Sequence, residues 1–123
     1  MTSISDQTAK ELVKLLKSKA ISPIALLDSC LERIAAVNPA VNAVVTLDEA
    51  GARAAAKRAE AELLGGEDKG PLHGLPVLIK DTQDTAGMRS TYGSPILADN
   101  VPSIDQASVA RLRAAGAIIF GKT

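Results

Sequence analysis

Three short apolar runs constrain this chain most. VNAVVTL (41–47), LPVLI (75–79) and AIIFG (117–121) are rich in aliphatic and β-branched residues. Runs of this kind suit buried strands. The segments around them have helical spacing. In TAKELVKLLKSK, Thr8 and Glu11 stand at capping-box distance, and Leu12, Leu15 and Leu16 form an apolar stripe. A second helix begins at Ser22-Pro23, carries Ile24, Leu27, Leu31 and Ile34 on one side, and is predicted to stop at Asn38-Pro39. Cys30 falls beside that stripe and reads as a small core residue. Asp48 can cap the Ala-rich EAGARAAAKRAEAELL, which ends at Gly65-Gly66 and reads as a solvent-facing helix with a narrow alanine seam. Asp105 is predicted to cap QASVARLRAA, and Gly116 to close it. The order is helix, helix, then strand-helix-strand-loop-helix-strand. That order points to one α/β domain with at least partly parallel strands, without repeat or linker.

Charge and aromatic content exclude some partners. Lys+Arg and Asp+Glu both number 14, so no net charge draws the chain to nucleic acid or an anionic membrane. Tyr92 and Phe120 are too few for base stacking. The polar start MTSISDQTAKEL has no signal core, no run is long enough to span a bilayer, and the single Cys30 suits a reducing compartment. A cytoplasmic protein is expected.

The last eight residues, GAIIFGKT, have the spacing of a phosphate-binding P-loop. A P-loop needs flexible backbone after a strand and before a helix. Here Gly116 follows a helix, and Ala117-Ile118-Ile119-Phe120 favour an extended, buried conformation. A helix cap followed by a strand is expected instead.

Lys80 ends the apolar run of LPVLIKD, where open α/β sheets place ligands. Alternation puts it on the face of Leu78 and sends Asp81 the other way with Ile79. In a dry pocket such a lysine would favour its neutral form and could serve as a base; otherwise it would simply extend to water. Residues 82–103 form a long irregular stretch of the kind that often carries function. Asp81 and Asp84 could support the backbone around Lys80, while His73, alone in a Gly/Pro loop, reads as a surface residue. With one histidine and one cysteine, no familiar metal site or Cys-His pair is expected.

The stretch GPLHGLPVLIKDTQDTAGMRSTYGSPIL closely resembles the start of the amidase signature family. That family shows G-P-L-x-G-[IL]-P-V-x-[IV]-K-D, then D-x-x-G-x-x-[ST]-T-x-G-S, and a helix like DQASVARLRAAGAII leading into G-K-T-N. The likeness extends over essentially all of residues 1–123. It implies the N-terminal part of a single α/β/α domain, with two leading helices followed by the strands and helices of a mixed sheet. It also implies hydrolysis of an amide by a Ser–cis-Ser–Lys set, with Lys80 as general base and no cofactor or metal. Thr91, Gly93 and Ser94 would shape the loop at the pocket mouth, with Asp81 in support.

In the family pattern both serines lie downstream of the G-K-T strand, so residues 1–123 alone are expected to be inactive. Ser90 and Ser94 are not assigned as nucleophile. A small-molecule amide is the expected substrate. The alternatives are an A-type amidotransferase subunit that works with misacylated transfer RNA, or a non-catalytic binding module. TQDTAG and TYGSPIL resemble stand-alone amidases more. A homo-oligomer is left open, and the sequence does not name the amide.

Overall fold

The computed structural model describes residues 2–123. Helix α1 (Ala9–Lys17) opens with the expected capping box: Glu11 N–H donates to the Thr8 hydroxyl, and the Thr8 N–H to the Glu11 carboxylate at 2.9 Å. Leu12 and Leu16 are buried and Leu15 partly so. Helix α2 (Pro23–Val41) starts at Ser22, whose hydroxyl accepts the Ala25 N–H. It does not stop at Asn38-Pro39. Pro39 sits inside its last turn, where one missing N–H removes a single bond, and the Asn42 N–H still reaches Asn38 O at 2.7 Å. The Asn38 side chain exchanges two hydrogen bonds with the Val44 backbone, which anchors the chain as it leaves the helix.

Strand β1 is only Thr46–Leu47, shorter and more open than its sequence suggests. Val41 and Asn42 are used by the end of α2, while Val45 and Leu47 are 44% and 40% exposed at the sheet edge. Helix α3 (Glu49–Leu64) is capped by Asp48 and buries Ala52, Ala56, Ala59 and Leu63, the expected seam. Strand β2 is Pro76–Ile79, helix α4 Ala107–Ala114 and strand β3 Ile118–Lys122. The sheet order is β1-β3-β2, with β3 antiparallel to β1 and parallel to β2.

Alternating side chains of β3 separate two layers. Ile118 and Phe120 pack with Leu27, Ala52, Ala56 and Ala59 from α2 and α3. Ile119 packs with Ile79, Met88 and Val109 of α4 on the other face. The result is a mixed sheet between helices, the α/β/α arrangement expected. Leu12, Leu16, Leu26, Leu63 and Leu75 join α1 to the end of this stack, and the partly buried Cys30 packs against both it and the α2–α3 cluster.

Gly116, at φ +93°, closes α4: its N–H meets Arg113 O and the Ala117 N–H meets Leu112 O. The chain then enters β3, so GAIIFGKT is a cap and a strand. Asp105 does not cap α4, whose first flanking residue is Gln106 without a side-chain bond. The Asp105 carboxylate instead accepts the Ala86 N–H and the Arg113 guanidinium, both at 2.7 Å, and fastens the long loop to the helix. His73 is likewise not a surface residue. It is 2% exposed, its Nδ1 accepts the Lys69 N–H, and its Nε2 donates to Glu62 at 2.7 Å. It fixes the α3–β2 connection from within.

Between Val77 and Leu78 the β2–β3 register slips: Val77 faces Ile119, but Leu78 faces Gly121. Phe120 is the extra residue of this bulge. A Cβ on Gly121 would lie 2.5 Å from Thr46 O and 2.9 Å from Leu78 Cδ2, so only glycine lets the three strands meet here. Gly121→Ala is expected to destabilise the protein by about 1–3 kcal/mol, read as a lower denaturant midpoint.

Candidate functional site

Lys80 follows the last residue of β2, and β2 and β3 run parallel, so both strand ends open toward the same rim. Beside them lies a cavity of about 430 Å³, whose wall includes Lys80, Thr82, Arg89, Thr91, Tyr92 and Gly93. The alternation holds: Leu78 packs toward α2 and α3, Ile79 toward α4, and Asp81 turns to the α4 side. Lys80 is exposed on the cavity wall rather than enclosed in a dry pocket.

Asp81 ties this rim together. Its N–H donates to Thr123 O at 2.8 Å and its carbonyl accepts the Tyr92 N–H at 2.9 Å. Its Oδ2 accepts both the Thr91 N–H, at 3.1 Å, and the Thr91 hydroxyl. Thr91 in turn holds the next residues, because its carbonyl accepts the Ser94 N–H at 2.9 Å. Tyr92 and Gly93 take positive φ, +56° and +67°, and form the tight corner that faces the cavity. The Tyr92 hydroxyl donates to Asp84. Thr91, Gly93 and Asp81 thus come together around Lys80. Ser94 does not line the cavity; it precedes the 3₁₀ turn Pro95–Leu97.

Residues 82–103 are ordered by cross-links between their two arms: Gly87 N–H to Pro102 O, and Ser90 N–H to Asn100 O, both at 2.9 Å. The Asn100 amide returns a bond to Ser90 O at 2.8 Å.

A second lysine, which sequence reasoning passed over, lies behind this rim. Without the bulge, Lys122 would share a face with Ile118 and Phe120. The extra residue reverses the alternation and turns Lys122 toward the loop. Its side chain is 0% exposed, and Nζ donates to Gln83 O at 2.5 Å, Thr85 Oγ1 at 2.9 Å and Ser90 Oγ at 2.8 Å. The Thr85 hydroxyl proton is engaged by Gln83 O, and that of Ser90 by Met88 O. Both hydroxyls therefore accept from Lys122, and three acceptors match the three N–H bonds of an ammonium. Burial pushes the Lys122 pKa down, and the carboxylates of Asp81 and Asp84 oppose that. The acceptor set favours the charged form. Asp81 Oδ1 stands 3.8 Å from Nζ, is buried, and has no hydrogen-bond partner.

Ser90, buried against Lys122, has no access to the cavity, and among the described residues no serine lines it. His73 does not line it either. Among the described residues no cluster of His, Cys, Asp and Glu is placed to hold a metal, and no helix is long and apolar enough to cross a membrane.

Residues 25–123 match the Amidase family. The A subunit of glutamyl-tRNA(Gln) amidotransferase from Roseiflexus castenholzii is 44% identical over 122 residues, which are 99% of this chain and 25% of that protein. A bacterial aryl acylamidase of the amidase signature family superposes with a TM-score of 0.90 at 30% identity, covering 99% of this chain and 26% of the other. The peptide amidase of Stenotrophomonas maltophilia gives 0.88 at 34% identity, covering 97% and 25%. The chain spans about a quarter of the length of the curated relatives it matches. With matched positions running from the start of α2 through β3, and solved amidases sharing the same architecture, this chain belongs to the amidase signature family.

Proposed function

We propose that residues 1–123 supply the lysine-bearing part of an amide-hydrolysing site, with Lys80 as general base. The supporting observation is placement: Lys80 directly follows a parallel strand on the wall of a cavity, beside the Thr91–Gly93 corner held by Asp81. In this reading neutral Lys80 accepts a proton from a relay serine, which takes the proton of a nucleophilic serine as its oxygen bonds the amide carbonyl carbon. The C–N bond then breaks, the amine leaves with a proton, and water hydrolyses the acyl-enzyme. Both serines are contributed from outside residues 1–123. The substrate is a small-molecule amide, no cofactor is required, and the protein works in the cytoplasm.

The curated relatives' names favour a second reading, an A-type amidotransferase subunit that passes the released ammonia to a partner. Chemistry at Lys80 would be the same; the fate of ammonia differs. The two separate in an assay of the protein that carries this chain. Amine release from an aryl amide by the protein alone is expected. Turnover of glutamine seen only with partner subunits would replace the first reading by the second, and absence of both activities would overturn both.

A further inference from the structure

Lys122 is the most deeply enclosed charge beside the site, and the reaction assigned to Lys80 makes no use of it. We propose that Lys122 is a positioning residue whose ammonium neutralises Asp81, so that Lys80, next to Asp81 in the chain, can give up its proton. The inference rests on the reading of Lys80 as proton acceptor.

The geometry leaves Asp81 little freedom. Its backbone is bonded on both sides, to Thr123 O and from Tyr92 N–H, and its Oδ2 is committed to Thr91. Oδ1 faces only the Lys122 ammonium. Lys122 is fixed as firmly, since its three N–H bonds run to Gln83, Thr85 and Ser90. The two opposite charges are thus held as a pair, and Asp81 shares the cavity wall with Lys80. The other ionisable groups on the cavity wall are Arg89 and Tyr92, the latter donating to Asp84. Around Lys122 the remaining carboxylates are Asp84 and Asp105.

Removing one charge of the pair exposes the other to Lys80. Without Lys122, the Asp81 carboxylate favours the ammonium form of Lys80, and activity requires a higher pH. Without the Asp81 charge, Lys122 repels the Lys80 ammonium, and activity appears at lower pH. Each displacement is about one pH unit, the scale of charges that interact through water rather than through the protein interior.

The test is the pH–rate profile for amide hydrolysis by the protein carrying this chain. The acidic limb is expected to move up in Lys122→Met, down in Asp81→Asn, and back toward the parent position in the double variant. A purely structural role would lower turnover evenly and leave the limb in place. Limbs unmoved in the folded single variants, or displaced in the same direction, would overturn the inference. If Lys122→Met does not fold, Lys122→Gln, which keeps an amide donor toward Gln83, Thr85 and Ser90 without the charge, takes its place: an upward displacement supports the pairing and an unmoved limb overturns it. Parental turnover in Lys80→Ala would overturn the reading of Lys80 and this inference with it. Loss of turnover in Lys80→Ala with unmoved limbs elsewhere overturns only the pairing.

Discussion

Lys122→Met should cost the protein about 3–5 kcal/mol of stability, the range seen when one member of a buried ion pair is removed. Methionine follows the lysine side chain as far as Cε and fills most of its space, so the loss is mainly electrostatic. It strands Asp81 Oδ1, which has no other partner, and deprives Gln83 O and two buried hydroxyls of a donor. A denaturant titration of the protein reads the change. Lys80→Met, at an exposed position, is the control and should change stability by no more than about 0.5 kcal/mol. Acidity adds a second signature. Burial holds the folded-state pKa of Lys122 below the ordinary lysine value of 10.5. Between the two values the unfolded chain binds the extra proton, so this group's contribution to stability rises with pH across that window. Lys122→Met should lose that upward slope.

That the important buried lysine is in GAIIFGKT, rather than in LPVLIKD alone, shows what kind of information the sequence carries. Local rules were legible: the Thr8–Glu11 capping box, Ser22 before Pro23, the alanine seam of α3 and the Gly116 cap all depend on residues within a turn of one another. The direction of Lys122 depends on β2, far earlier in the chain, because it is set by the slip between Val77 and Leu78. Simple alternation along β3 points Lys122 to the wrong face. The one available signal was glycine before the lysine in an otherwise apolar strand, which marks a bulge or a close approach. Asp105 failed for a related reason. It has the residue type and position of a cap, but Ala86 and Arg113 from other segments compete for its oxygens. His73 reads as a surface residue because its loop is Gly/Pro-rich, yet Glu62 on α3 gives the ring a buried partner. At the site itself, the resemblance puts Thr91, Gly93 and Ser94 at the pocket mouth with Asp81 in support; Ser94 lies off the cavity, and the hydrogen bonds that join Asp81 to Thr91 depend on the fold.

Lys80→Ala should reduce amide hydrolysis by about 10³-fold or more while leaving the protein folded. General-base groups contribute roughly 10²–10⁴-fold, and a serine hydroxyl without a base is a weak nucleophile. The contrast with Lys122 sharpens the test, because the two lysines stand at the ends of neighbouring parallel strands and differ in burial. Stability unchanged with turnover lost places Lys80 in the chemistry; turnover retained places it among ordinary strand-end lysines that extend to water. Lys80→Arg separates charge from proton transfer. Arginine retains the cation on the cavity wall but cannot lose its proton near neutral pH. If Lys80 merely attracts an anionic group, Lys80→Arg should keep most of the activity. If Lys80 must be neutral to accept a proton, Lys80→Arg should be as inactive as Lys80→Ala, and single-turnover measurements should show the loss in acylation rather than in substrate binding.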